Sequence, residues 1–186
     1  MSKYRRNYIP GATYFFTVVT AKRHPVFADD DAVKLLSQVV NEVVKTRPID
    51  RVAGVVLPDH LHAIWTLLPG DNDYSTRWAA IKAGFTSAWT KQGGAEQSVT
   101  SSQHRKRERG VWQPRFMEHT IRDEDDFAQH VDYIHWNPVK HGYVKRPIDW
   151  RWSSIHRFVR EGKLPQDWGC LPGASHGDGV DTNLIE

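Results

Sequence analysis

The order of strand-like and helix-like segments predicts an α+β sandwich of ferredoxin-like type, built on an antiparallel sheet with a C-terminal helical extension. Three observations lead there. The segments follow one another as strand, helix, strand, strand, helix, strand, helix. The second and third strands are joined by a tight turn at Pro58–Asp59. The first two helical segments each carry an apolar stripe that needs a sheet to cover. Helices are therefore expected on one face of the sheet, with a further helix near the other.

Each segment has its own signal. Ala12 to Ala21 (ATYFFTVVTA) is aromatic and β-branched, as in a strand buried on both faces. Asp29 to Asp31 offer N-caps for a helix whose Val33, Leu36, Val40 and Val43/Val44 recur at three- and four-residue spacing. Val52 to Leu57 and His60 to Leu68 read as the paired strands. In the latter, Leu61, Ala63, Trp65 and Leu67 share one face, and His60, His62, Ile64 and Thr66 the other. A second helix, about Ser75 to Gln92, has the stripe Trp78, Ile81, Phe85, Trp89 and is stopped by Gly93–Gly94. The polar segment that follows, up to Gly110, lacks periodicity and reads as a basic loop. Trp112 to Ile121 reads as a strand. Asp123 opens a helix expected to end near Trp136, because the residue before Pro138 avoids the helical region. Arg151 to Arg160 reads as a short final helix with Trp152, Ile155 and Phe158/Val159 inward.

A chain of 186 residues is long enough for one well-buried core and short for two. One domain is expected over 1–169, with 170–186 as a disordered tail. The formal charge is +3, and the Gly-rich end contributes only acids, Asp178, Asp181 and Glu186. The folded part is thus more positive than the whole, which favours a polyanionic partner. A single cysteine, Cys170, excludes an internal disulfide framework and a cysteine-based zinc cluster. The basic start MSKYRRNYIPG is not followed by an apolar run and a cleavage site, and no stretch approaches about 18 apolar residues. A cytoplasmic protein is expected.

Three groups of residues could carry chemistry. DHLH puts His60 and His62 two apart on a strand, so both imidazoles leave one face and can converge on one divalent ion. The plain alternative is a pair of surface or hydrogen-bonded histidines. QHVDYIHWNPVKHG places His130, Tyr133 and Asn137 along a helix at three- and four-residue spacing. If that helix crosses the histidine face, the Asn137 carbonyl oxygen can join the same ion and Tyr133 stands beside it. Otherwise Tyr133 is a packing residue and Asn137 a helix end. The third group is basic and aromatic: Lys82, Arg105, Lys106, Arg107, Arg109, Trp112 and Arg115 are candidates for phosphate contacts and base stacking, against a solvated surface and a core tryptophan.

Taken together, YFFTVVTAKRHPVF, PDHLH, VWQPRFMEHTIRDEDDF, HVDYIHWNPVKHG and DWRWSSIHRFVREG resemble the REP-associated tyrosine transposases, relatives of the single-tyrosine HUH transposases. These stretches span the chain to about Gly169, in the family's order. The resemblance implies an HUH endonuclease type of ferredoxin-like fold, with His60 and His62 as the histidine pair, Tyr133 as nucleophile and Asn137 as third ligand. It also implies Mg²⁺ or Mn²⁺ as the ion, and repetitive extragenic palindromes folded as single-stranded hairpins as substrate. His130 is the candidate for helping Tyr133 lose its proton, since a phenol has a reference pKa near 10. A nucleoid-associated monomer or homodimer is expected. Two other functions compete: a hairpin-binding module without catalysis, and a hydrolase of small phosphoesters without a covalent intermediate.

Overall fold

The computed structural model describes residues 6–106 and 108–170. Its centre is a four-stranded antiparallel sheet of β1 (Thr13–Val19), β2 (Asp50–Val56), β3 (His60–Thr66) and β4 (Met117–Thr120), ordered β2-β3-β1-β4. That order, with one helix between β1 and β2 and another between β3 and β4, is the ferredoxin-like arrangement expected. The register sets Val19 opposite His60, Thr17 opposite His62 and Phe15 opposite Ile64. Directly opposed residues share a face, so the sheet has a His60–His62–Thr17–Phe15 face and a Leu61–Ala63–Phe16–Trp65 face.

The second face is the anchor. Helix α1 (Asp30–Thr46) starts where the Asp29 carboxylate accepts the Asp31 amide at 2.8 Å. Helix α2 (Tyr74–Lys91) starts where Asp73 accepts the Thr76 amide at 3.0 Å. Both lie on this face. Trp78 of α2 stacks on Trp65 of β3 with centroids 4.1 Å apart and planes 13° apart, and Tyr14, Phe16, Val33, Leu36, Ile81 and Phe85 fill the layer.

Helix α4 (Glu124–Lys140) covers the other face. Phe15, Ala53, Val55 and Ile64 of the sheet pack there against Val131, Tyr133 and Ile134, joined by Phe158 of the short α5 (Ile155–Arg160). The segment before α5 lies along the outer edge of β2, with Val56 donating to the Trp152 carbonyl and Ser154 to that of Gly54. This closes an edge that would otherwise offer open hydrogen bonds. Among the described residues no helix is long and apolar enough to cross a membrane.

Three expectations need correction. The last sheet strand is four residues rather than ten: Trp112 makes only an isolated bridge to Thr20, and Pro114 has no N–H to extend the ladder. Within the basic loop a five-residue helix, α3 (Ser101–Arg105), forms because Thr100 and Gln103 cap one another reciprocally. Helix α4 runs through Pro138 to Lys140 instead of ending near Trp136. The proline removes one donor, but Asn137 and Pro138 are buried and the His141 amide still bonds to the Asn137 carbonyl at 3.0 Å. Packing thus outweighs a propensity cost of about 3 kcal/mol. Gly142, at φ 73°, then turns the chain out of the helix. The expected tail lies outside the described residues except for Cys170.

Candidate functional site

The two histidines of β3 are held by their Nδ1 atoms. His62 shares a 2.9 Å hydrogen bond with the Thr17 hydroxyl of the neighbouring strand, and His60 is 2.6 Å from an Asp59 carboxylate oxygen. Such outer partners fix ring orientation and leave Nε2 to bind a ligand. The rings stand 5.0 Å apart at 82°. Burial pulls the His62 pKa well below its ordinary value, and the nearby His60, His141 and Lys140 add to this. His62 is therefore neutral at neutral pH. Burial works against ionisation of Asp59, but His60 and Arg23 outweigh it and hold that carboxyl below the usual range.

Helix α4 supplies the rest. Its first turn is acidic and its last carries Lys140, which suits the helix dipole. The Asp123 side chain caps it through the Asp126 amide at 2.8 Å. Because the helix lies across the histidine face, the Tyr133 ring sits 5.2 Å from the His62 ring at 70°. The Lys140 ammonium lies 5.1 Å from the centre of the Tyr133 ring. Asn137, one turn beyond Tyr133, is fully buried.

Polar groups at this place are buried without partners: His62 Nε2 and both amide atoms of Asn137. A buried polar group left unsatisfied costs about 1–3 kcal/mol; a cation would satisfy the two acceptors, His62 Nε2 and the Asn137 oxygen, but not the amide donor Nδ2. Two imidazoles and an amide oxygen are a donor set for a divalent cation. By residue type, His60, His62 and Asn137 supply such a donor set.

A second cluster has cation-binding composition. His119, Asp126 and His130 bring ligand atoms within 4.8 Å of one another. However, the two imidazoles stack at 4.6 Å and 14°, so their in-plane lone pairs run in nearly parallel planes and do not meet at one point. Asp126 already receives the Arg122 amide at 3.0 Å, the Arg122 guanidinium and His119. These donors outweigh the burial that opposes its ionisation and hold its pKa far below normal. His130 bonds to the Asp126 carbonyl at 2.8 Å, and its other face meets Phe15. Such partners give His130 the part of a tie between α4 and β4.

The expected nucleic-acid residues fall into distinct environments. Arg105, Lys106 and Arg115 are exposed. Arg109 is exposed but paired with Glu96. Lys82 donates to the Gln113 carbonyl at 2.6 Å, and burial lowers its pKa to about 8. Trp112 is a correction: it is 7% exposed and packed between Phe27 and Phe85, which removes its ring from base stacking. Arg107 lies outside the described residues. The segment nevertheless leaves the sheet at the right end, because the Gln113 amide bonds to Val19, the strand partner of His60.

Several residues at the site escaped the reading of the sequence. Thr17 and Asp59 orient the histidines, Lys140 lies against Tyr133, and His141 stands 5.2 Å from His60. Asp59 and His141 were available as neighbours of the motifs, while Thr17 depends on strand register. Lys22 and Arg23, at φ 53° and 51°, form a left-handed turn that non-glycine residues rarely adopt. From it Arg23 reaches Asp59 at 3.2 Å.

No family model matches the chain. A REP-associated tyrosine transposase of Escherichia coli (strain K12) is 44% identical over 168 residues, covering 90% of this chain and 91% of that protein. A relative of the same family name from Haemophilus influenzae is 40% identical over 172 residues, covering 92% and 96%. Among solved structures, a REP-associated tyrosine transposase bound to a REP hairpin matches with a TM-score of 0.77 and 42% identity, over 96% of this chain and 98% of that one. With identity at this level over nearly the full length of both partners, the chain belongs to the REP-associated tyrosine transposases, DNA-processing enzymes with a tyrosine nucleophile.

Proposed function

We propose that this protein cuts and rejoins single-stranded DNA at palindromic hairpins, with Tyr133 as nucleophile and a Mg²⁺ or Mn²⁺ ion held by His60, His62 and Asn137. The observation that carries this reading is the juxtaposition of the Tyr133 ring, 5.2 Å from that of His62, with the unpartnered His62 Nε2 and Asn137 amide. The hairpin substrate is supported by the relative that was solved with a REP hairpin. The exposed Arg105, Lys106 and Arg115 suit contacts to DNA phosphates.

Held by His60, His62 and Asn137, a divalent ion would supply positive charge to offset that developing on the scissile phosphate. The Tyr133 oxygen attacks phosphorus in line and gives up its proton to water, with His130 the side chain proposed to help it leave. The bond to the 3′ oxygen breaks, that oxygen takes up a proton, and a 5′-phosphotyrosine remains. The Lys140 side-chain nitrogen lies 5.1 Å from the centre of the ring whose oxygen becomes anionic. Asp59 and Thr17 keep the imidazoles oriented throughout. The 3′-hydroxyl can attack the phosphotyrosine in turn, so cutting and rejoining are one reversible reaction.

The test is Tyr133→Phe on a labelled hairpin oligonucleotide with Mg²⁺ or Mn²⁺. Cleavage and the denaturation-resistant adduct are expected to vanish, while hairpin affinity stays within a few-fold because only a hydroxyl is lost. Cleavage at the wild-type rate in this variant removes Tyr133 from the mechanism.

A further inference from the structure

We propose that Arg23 binds a DNA phosphate next to the scissile one, held at the rim of the site by the left-handed turn that it forms with Lys22. The inference rests on the reading of the site above and adds a residue to it.

Two consecutive non-glycine residues at positive φ are an unfavourable way to leave a strand, yet Lys22 and Arg23 stand at φ 53° and 51°. Buried contacts impose the conformation. The Thr20 hydroxyl, fully buried, lies 2.8 Å from both the Asp59 and the His24 carbonyls. The Thr20 amide donates to the Asp59 carbonyl at 2.9 Å, and the Arg23 and His24 amides close the turn on Thr20 and Ala21 at 3.2 and 3.0 Å. The end of β1 is thereby tied to the Pro58–Asp59 turn that leads into His60.

The guanidinium is only partly spent there. Its Nη1 donates to one Asp59 carboxylate oxygen at 3.2 Å, and the other oxygen lies 2.6 Å from His60 Nδ1. Two hydrogen bonds through one carboxylate thus link Arg23 to His60, a reach comparable with the step between neighbouring phosphates of an extended strand. Within the described residues Nε and Nη2 make no hydrogen bond, and the side chain is 42% exposed. A planar guanidinium with donors in hand suits a phosphate, whose oxygens it can meet in pairs. Asp59 makes a cation useful at this place, since the carboxylate that orients His60 would otherwise repel DNA.

The same turn meets the basic segment. Lys22 Nζ donates to the Ser98 hydroxyl at 2.7 Å, the Ala21 amide to the Val111 carbonyl at 2.9 Å, and the Gln97 amide to the Gly110 carbonyl at 2.7 Å. Both ends of the segment that carries Arg105 and Lys106 therefore close on the turn. In this chain of contacts Arg23 stands between those cations and His60, on the route of a strand that touches both.

The experiment places a single neutral methylphosphonate at each linkage around the cut of a hairpin oligonucleotide. Affinity is measured for wild type and Arg23→Gln with divalent ions chelated, and the cut is located separately with Mn²⁺. In wild type, one of the linkages next to the cut is expected to lower affinity about tenfold when neutralised, the scale of one charge-assisted hydrogen bond. In Arg23→Gln the same change should cost less than about twofold, and the log–log salt slope should be smaller by about 0.7, as for one lost single-strand contact. A merely structural loss, through Asp59 and His60, would weaken binding without coupling to any one linkage. Equal sensitivity of the two proteins at every linkage, or a coupled linkage remote from the cut, overturns the role of Arg23 and leaves Tyr133 and the histidines as read. Absence of any cut by wild type overturns the reading of the site itself.

Discussion

His62 is held by a hydroxyl on one nitrogen, by Phe15 stacked at 5.3 Å, and by Tyr133 at its edge. A ring so enclosed is kept in its neutral form, and it is not alone. His135, also fully buried, accepts or donates a 2.9 Å hydrogen bond with Ser154, and burial lowers its pKa to about 3. Both groups bind a proton more readily in the unfolded chain, where the reference pKa is about 6.5. Their contribution to stability is full above that pH and is lost as the pH falls toward the lowered folded values. Each group then adds a slope of up to about 1.4 kcal/mol per pH unit. Urea unfolding between pH 7 and pH 4 should show stability falling with acid, and His135→Gln should flatten the decline. A midpoint independent of pH over that range contradicts this account of the buried histidines.

At the scale of elements, α4 decides what the histidine face can do. Its start and its chemical stripe were legible in the sequence, because Asp123 is a strong cap and His130, Tyr133 and Asn137 recur at helical spacing. Its end was not, because a local proline rule gave way to the burial of Asn137 and Pro138, which no local pattern reveals. The histidine pair was legible because strand alternation fixes which side chains share a face. The orienting Thr17 was not, since register between distant strands must be known first. The basic segment was legible as charge but not as structure: Thr100 and Gln103 build a short helix there, Arg109 is spent on Glu96, and Trp112 is core. Arg105 and Lys106 make no ion pair within the described residues and, like Arg115, remain available to phosphate. Replacing both by glutamine should reduce the salt dependence of single-stranded DNA binding by up to about 0.7 per lost contact in the log–log slope. An unchanged slope would return them to an ordinary solvated surface.

The molecule as a whole separates anchoring from chemistry across one sheet. Aromatic packing of α1 and α2 secures one face, and the other carries the histidines, with α4 laid over them. Trp78, stacked on Trp65 and 2% exposed, belongs to the anchor. Trp78→Ala should cost about 3–5 kcal/mol in urea unfolding, while the folded fraction at low temperature keeps its metal affinity. Loss of metal affinity in the folded protein would show that the faces are not independent. The central claim concerns the nucleophile, and one measurement reaches it directly. Wild-type protein is incubated with a hairpin oligonucleotide and Mn²⁺, denatured, digested with nuclease and trypsin, and mapped by mass spectrometry. The account predicts a nucleotide joined through phosphate to Tyr133 within the tryptic peptide 123–140. An adduct on any other residue, or cleavage that leaves the protein unmodified, would contradict it.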